Sequence, residues 1–306
     1  MDHLELLLQW ETLTCHTLVE NPERERLYMT TVVREALKFP FLMYQILAIA
    51  ALHIASDAPP DQAPHHYHRA TELQTAAMAG FNSHQAHISE DSAFALLVFA
   101  SLLGLHVLAD HSRTYQLDNQ LFLDHFLQTV RLMQGVHTLV IEDWWQKIHN
   151  RPDVGRFIAV EHIEPPYDSP QEVKQLKKLV ENPDKFDAET LAAYTKAIHH
   201  LDWFYALCKV PYRSYNNVHL LPAWPIRSSV AYLNLVEQRR PEALIILAYF
   251  ALAVHFYRQS WMIRDTGERL LVAIEENLDP AWAVWLDWPK QLVAATKFHD
   301  QDQSSV

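Results

Sequence analysis

The feature of this sequence that most constrains its fold is the apolar stretch at residues 241–261, PEALIILAYFALAVHFYRQSW. Between Glu242 and His255 it carries no charged residue and no glycine. A helix that is apolar on every side has to be covered by other material. The stretch is shorter than the roughly 20 residues that a transmembrane helix needs. We therefore expect a buried helix at the centre of a helical protein.

Glycine usage also favours helices. The 306 residues include 5 glycines, whereas sheet proteins of this size need more of them for turns and bulges. The other long apolar runs, at 41–55 and 91–109, are rich in leucine and alanine, which are good helix formers. The sequence shows no internal repeat and no convincing strand alternation. It predicts an all-α fold, with residues 1–306 forming a single domain of about ten helices and no significant sheet.

Apolar periodicity and turn residues place the individual elements. The expected helices lie at 2–20, 41–55, 65–81, 91–109, 121–140, 190–209, 226–239, 242–262 and 266–278. Asn21 is a plausible N-cap for a further helix that starts at Pro22. Five prolines predict a loop-rich crossover at 150–189, and polar composition predicts a frayed tail at 295–306. The run at 93–109 lacks flanking basic residues and an aromatic belt, so we expect no membrane span.

Charge and cysteine content narrow the class of protein. The net charge of −12 opposes contact with phosphate backbones, so we expect no direct nucleic-acid binding by this chain. Two cysteines are too few for a disulfide framework or a cysteine-rich zinc module, and they suit a reducing compartment. The opening residues have early acids and no basic segment, so they do not predict a signal peptide.

Motifs for common chemistry are missing from the sequence. It has no glycine-rich phosphate loop, G-x-S-x-G elbow, H-E-x-x-H or C-x-x-C motif, so we predict neither a cofactor nor a metal site. The three histidines of APHHYHRA, residues 63–70, are interpreted as a solvated helix start rather than metal ligands. Acidic residues do not form the facing pairs that metal-dependent prenyl chemistry needs.

The C-terminal part carries a specific pattern. Trp224-Pro225 is followed by the Pro-Glu-Ala-Leu segment at 241–244, and Trp261 and Gly267 come after it. Three more tryptophans, Trp282, Trp285 and Trp288, then close the pattern before Pro289. The series resembles the C-terminal regulatory, ligand-sensing domain of fungal zinc-cluster transcription factors of the sterol-uptake-regulator type.

The N-terminal half resembles the same family. Its signature is carried by Pro40, Leu47, Ala48, Ala51, Leu52 and His53, and the whole resemblance covers about residues 2–290. The resemblance implies an all-α domain that binds a hydrophobic small molecule, a sterol in the best-known members. It also implies a homodimer that controls transcription, in the nucleus and cytoplasm. Tyr249 stands where relatives have a histidine, and the six cysteines of the zinc cluster are absent. The chain is therefore expected to be either a piece of a longer regulator or a stand-alone member.

The first functional hypothesis is this ligand-responsive regulatory domain. It predicts a closed apolar pocket beside the C-terminal helices. Nearness to the family pattern gives the candidate ligand-binding residues: Trp224, Phe250, Val254, His255, Tyr257, Trp261 and Trp285.

The second hypothesis is a stand-alone, cofactor-free enzyme of natural-product biosynthesis on the same scaffold, a cyclase or an isomerase. Such an enzyme needs an acid or a base inside an apolar cavity. The candidate catalytic residues are His53, His106, His199, Asp202 and His255. A third hypothesis, a dimerising interaction module without a ligand, predicts a filled interior.

Overall fold

A computed structural model of the chain describes residues 2–19, 22–85, 90–112, 118–141, 168–208 and 218–303. Within these ranges all regular secondary structure is helical, which confirms the all-α prediction. The α-helices, numbered in chain order, are α1 (Asp2–Gln9), α2 (Pro22–Arg26), α3 (Val33–Lys38), α4 (Pro40–Asp57), α5 (Ala63–Gln85), α6 (Glu90–His111), α7 (Asn119–Ile141), α8 (Gln171–Lys174), α9 (Ala188–Cys208), α10 (Ala223–Arg227), α11 (Val230–Glu237), α12 (Pro241–His255), α13 (Thr266–Glu276) and α14 (Asp287–Gln303).

Shorter helical turns connect these helices. Two have π-helical geometry, at Trp10–Thr14 and Leu27–Val32. The 3₁₀ turns are Cys15–Thr17, Gln175–Val180, Pro183–Lys185, Val218–Leu220 and Pro280–Leu286. The N-terminal segment expected to be one helix over 2–20 is thus α1 followed by a π-helical and a 3₁₀ turn.

Two other boundaries differ from the sequence-based expectations. The helix predicted over 226–239 is divided between α10 and α11, because the Ser229 hydroxyl accepts a hydrogen bond from the Tyr232 amide and starts a new helix. The helix predicted over 242–262 ends at His255, and irregular turns follow it as far as Asp265.

Some expectations fall partly outside the described residues. This is true of Asn21, of residues 142–167 in the crossover and of 304–306 in the tail. The described part of the crossover contains α8 and two 3₁₀ turns, and α14 continues through the segment predicted to be a frayed tail as far as Gln303.

Helices α4, α5 and α6 form one layered unit. Near the start of α4, Phe41 makes ring contacts with Phe81 late in α5 and with Phe99 on α6. Near the end of α4, Leu52 shares a small cavity with Tyr67 early in α5 and Ala109 late in α6. Helix α5 therefore runs antiparallel to α4, while α6 runs parallel to it.

Helix α12 is the buried centre that its composition predicts. Every residue from Glu242 to His255 is buried. Two tyrosines from neighbouring helices donate hydrogen bonds to its backbone: Tyr205 to the Tyr249 carbonyl at 2.6 Å, and Tyr232 to the Ala243 carbonyl at 3.0 Å. Burying each of its large apolar side chains contributes about 1.5–3 kcal/mol to stability.

Two helices are long and apolar enough to cross a membrane by length and composition alone: Pro40–Asp57 and the part of α6 at Asp91–His111. Their most apolar windows are 67% and 89% buried inside the fold. Packing against other helices is therefore sufficient to explain why these two helices are so apolar.

Close packing of α13 on α12 gives the first prediction. A Cβ atom added at Gly267 would lie 2.4 Å from the His255 amide nitrogen and 2.6 Å from the Ala251 carbonyl oxygen. Gly267→Ala should therefore lower the free energy of unfolding by about 1–3 kcal/mol or more, since backbone atoms have to move. Urea denaturation measures the change.

The matched control is Gly135→Ala on α7, where an added Cβ would meet no atom within 4 Å. That change should stabilise the protein by about 0.5–1 kcal/mol, because alanine is the better helix former. Equal effects of the two substitutions would contradict the packing described here.

Candidate functional site

Two of the predicted ligand-binding residues pack against each other in the core. Trp224 stacks on Phe250 with ring centroids 4.4 Å apart and planes 24° apart. The Trp224 Nε1 donates a hydrogen bond to the Ala197 carbonyl at 3.0 Å. Both side chains are almost completely buried. The polar atom of this tryptophan is thus paired within the protein, and one face of its ring is covered by Phe250.

The next three predicted residues lie at the end of α12 and just beyond it. Val254, His255 and Tyr257 are all buried. The His255 Nε2 lies 2.8 Å from the Thr296 hydroxyl on α14. That hydroxyl donates to the Val293 carbonyl, so it accepts from the imidazole, and Nε2 carries the proton. His255 thereby ties α14 to the central helix.

Trp261 lies in a different neighbourhood, against the N-terminal segment. Its indole stacks on His53 of α4, with centroids 4.6 Å apart and planes 8° apart. Its Nε1 donates to the Thr17 hydroxyl at 3.0 Å, a contact between residues 244 positions apart. The seventh predicted ligand-binding residue, Trp285, is half-buried in the 3₁₀ turn Pro280–Leu286.

His53 is held by several partners. Its Nδ1 lies 2.9 Å from the Thr14 hydroxyl and 3.5 Å from the Gln9 amide nitrogen, and its Nε2 is 3.9 Å from Asp57. Burial lowers the pKa of His53, against the opposing effect of Asp57. We call Thr14, Thr17, His53 and Trp261 the N-terminal junction.

His219, in the C-terminal half of the chain, forms hydrogen bonds with the N-terminal residues Leu18 and Arg24. Its Nδ1 donates to the Leu18 carbonyl at 3.0 Å, which leaves Nε2 to accept from the Arg24 guanidinium at 2.9 Å. Desolvation, with the nearby charge of Arg24, lowers the pKa of His219 to about 3. These contacts require a neutral imidazole.

The candidate catalytic residues have separate neighbourhoods among the described residues. His53 belongs to the N-terminal junction, and His255 bonds to Thr296. His106 is buried on α6. His199 is exposed on α9, and Asp202 on the same helix accepts a hydrogen bond from Ser169. The contacts described here do not gather these groups around one reaction centre.

A small pocket and a surface depression are lined by described residues. One, of about 10 Å³, lies where α4, α5 and α6 meet the turn that follows α12; its lining is Leu52, Ser56, Tyr67, Ala109, Ser112, Trp261 and Arg264. The other is an open surface depression of about 360 Å³ between α1 and α5, where His65 and His68 lie beside Asp2 and Glu72. Among the described residues, no group of three or more histidine, cysteine or acidic side chains is placed to hold a metal ion.

Sequence comparison with known proteins concerns nearly the whole chain. No protein-family model matches the chain. A Zn(2)-C6 fungal-type transcription factor from Gibberella zeae is 27% identical over 320 residues, which cover 94% of this chain. The chain is thus similar over most of its length to a fungal transcription factor. It spans 61% of the length of that relative. The similarity supports the transcription-factor part of the resemblance seen in the sequence.

The sequence pattern did not reveal the N-terminal junction as a unit. His53 and Trp261 are marked by the resemblance, but Thr14, Thr17 and His219 carry no local signal. Their roles come from contacts between residues about 40 to 240 positions apart, and no periodic pattern records such contacts.

The His219 contacts predict a pH dependence of stability. The pKa of His219 is about 3 in the folded state and near 6.5 in the unfolded state. Its contribution to the free energy of unfolding is therefore complete above pH 6.5. This contribution is lost as the pH falls from 6.5 towards 3. His219→Gln keeps one donor and one acceptor but cannot titrate, so it should reduce the loss between pH 7 and pH 5 by about 1–2 kcal/mol.

Urea denaturation across this pH range measures the effect, with exposed His68→Gln as the control. Equal pH slopes for the wild type and His219→Gln would show that this imidazole is not held neutral in the folded state.

Proposed function

We propose that the chain is the regulatory part of a fungal transcription factor. The observation that carries this proposal is the similarity to a Zn(2)-C6 fungal-type transcription factor along 94% of the chain. An all-helical fold, as the resemblance implies, accompanies that similarity. DNA contact is assigned to a different segment or partner, because the chain is acidic and its two cysteines cannot form a six-cysteine zinc cluster. A protein with this role acts in the nucleus and is present in the cytoplasm as well.

The finer part of the proposal is that a hydrophobic small molecule regulates this chain, and sterols are the first class to test. We also propose that the chain forms a homodimer. Its support is the sequence resemblance, together with a helical interior rich in large apolar and aromatic side chains. Because Trp224 and Phe250 stack on each other, a ligand bound at these two residues would separate the rings or lie beside them. The enzyme hypothesis has no comparable support among the described contacts and is not proposed.

A reporter experiment tests the regulatory role. The chain is fused to a heterologous DNA-binding domain in a fungal host, and reporter transcription is measured with and without depletion of membrane sterols. We expect the fusion to change transcription, and we expect sterol depletion to alter that change by several fold. A fusion to an unrelated helical domain is the control.

Reporter output equal to that of the control under both conditions would contradict the regulatory role. Reporter output that differs from the control but does not change on sterol depletion would support the regulatory role and contradict regulation by sterols. Light scattering on the purified chain tests the homodimer, for which a molar mass of twice 35.6 kDa is expected.

A further inference from the structure

Lys185 holds its ammonium group against two aromatic rings and a buried carboxylate. Its Nζ lies 5.4 Å from the centroid of the Phe186 ring and 5.3 Å from that of the Trp282 ring. The same nitrogen donates a hydrogen bond to the Glu242 Oε1 at 2.6 Å. Aromatic rings attract cations through their negative faces, and groups of such rings recognise methylated ammonium ions. We call Phe186, Glu242 and Trp282 the ammonium cage.

Three segments that are distant in sequence supply the cage. Phe186 precedes α9, Glu242 lies in the first turn of α12, and Trp282 belongs to the 3₁₀ turn before α14. The Asp279 carboxylate caps that turn by accepting a hydrogen bond from the Ala281 amide at 2.9 Å. The cage is therefore a product of the fold and not of one local motif.

Tyr194 of α9 adds a polar group beside the cage. Its ring meets the Phe186 ring edge-on, with centroids 5.4 Å apart. The side chain is completely buried, and its hydroxyl has no hydrogen-bond partner among the described residues. Burial, and to a smaller extent the charge of Glu242, raises the pKa of Tyr194 to about 12. This region thus contains hydrogen-bonding capacity that the described residues do not use.

The two partners of the ion pair differ in exposure. The Glu242 side chain is 6% exposed, whereas the Lys185 side chain is 52% exposed. A carboxylate buried this deeply needs a cation beside it. Lys185 meets that need with a flexible side chain that reaches the cage from the solvent side. A second ammonium ion can therefore enter from solvent and replace it without leaving Glu242 unpaired.

The distances in the cage fit a dimethylated ammonium ion. A methyl carbon lies about 1.5 Å from its nitrogen and contacts ring carbons at about 3.5–4.0 Å. A nitrogen that carries a methyl group towards a ring therefore lies about 5.0–5.5 Å from it, as Nζ does from both rings. Two methyl groups would meet the two rings, and the remaining N–H would donate to Glu242.

The surface around the cage is acidic. Residues 181–189, ENPDKFDAE, contain four acidic residues and one lysine. All four acidic side chains are exposed: Glu181, Asp184, Asp187 and Glu189. Arg240, two positions before Glu242, is exposed as well and offsets part of this charge. The remaining charge favours a basic partner, because complementary charge speeds and orients association.

We propose that the ammonium cage binds a dimethylated lysine within a basic peptide segment of a partner protein. Lys185 occupies the cage in the free chain, and the partner's lysine displaces it. An unmethylated lysine is a poorer ligand because its ammonium group is strongly hydrated. This inference rests on the cage alone. It depends neither on the regulatory role nor on a hydrophobic ligand.

Fluorescence polarisation with short labelled peptides tests the proposal. Each peptide contains arginine and glycine around one central lysine, which is unmethylated, dimethylated, trimethylated or replaced by norleucine. We expect the chain to bind the dimethylated peptide about 3- to 10-fold more tightly than the unmethylated one. The trimethylated peptide should bind less tightly than the dimethylated one, because it has no N–H to donate to Glu242.

Trp282 variants separate the cage from the acidic surface. Trp282→Leu should abolish the preference for the dimethylated peptide, whereas Trp282→Phe should keep it because an aromatic face remains. The matched control is Trp203→Leu on α9, where Arg227 lies 4.4 Å from the ring of another half-buried tryptophan. That control should keep the wild-type preference. Thermal melting of each variant shows whether it is folded.

Lys185→Ala gives a readout in the opposite direction. Without the competing lysine, this variant should bind the dimethylated peptide about 3- to 10-fold more tightly than the wild type does. The peptide should also raise its melting temperature more than that of the wild type, since Glu242 then gains a cation only from the ligand. A variant that binds more tightly cannot be explained by general damage to the fold.

Each contrary outcome overturns a stated part of the proposal. Equal binding of the unmethylated and dimethylated peptides by both the wild type and Lys185→Ala would show attraction by the acidic surface alone. Binding of the norleucine peptide as tight as that of the dimethylated one would show apolar docking. Free dimethyl-lysine that competes as well as the peptide would indicate a small amine as the ligand. Weaker binding by Lys185→Ala would make Lys185 part of the site, and no binding by either protein would remove the site. The reporter experiment is independent of all these results.

Discussion

The fold depends on the requirement that α12 be covered on every side. No described residue from Glu242 to His255 is exposed, so neighbouring elements have to surround the helix completely. Covering one such helix takes several others, which explains why the described chain forms a helical array instead of a two-layer structure. The arrangement also has a thermodynamic basis, because each large apolar side chain of α12 stabilises the folded state only while its neighbours keep water away.

Several polar contacts join parts of the described chain that are distant in sequence. Trp261 reaches Thr17, His219 reaches Leu18 and Arg24, and His255 reaches Thr296. Together they fasten the first turns of the chain and the last helix to the central bundle.

The sequence predicted the fold class and the long helices because these follow from composition and periodicity. The run at 41–55 became α4, and the run at 91–109 became α6, with ends moved by a few residues. Two expected boundaries were wrong: the Ser229 cap divides one expected helix, and another ends at His255 instead of continuing to residue 262. Terminal turns are the least determined part of any helix, since their packing partners are remote in sequence.

The candidate site was predicted less completely, for a related reason. Family resemblance marked Trp224, Phe250 and Trp261, but it did not indicate that two of them stack on each other while the third stacks on His53. Such features depend on which helix faces meet, and only the folded arrangement determines that.

The two tyrosines that bond to the backbone of α12 have a mechanical consequence. The hydrophobic effect that buries α12 has no preferred direction and is nearly indifferent to the orientation of the groups it buries. A phenol aimed at a particular carbonyl oxygen is not indifferent, since a hydrogen bond weakens steeply with misalignment. The two acceptor carbonyls, of Tyr249 and Ala243, lie about 1.7 turns apart along the helix, so Tyr205 and Tyr232 hold α12 at two separate points. Together with the close packing of Gly267 on His255 and Ala251, they fix the position of α12 along its own axis.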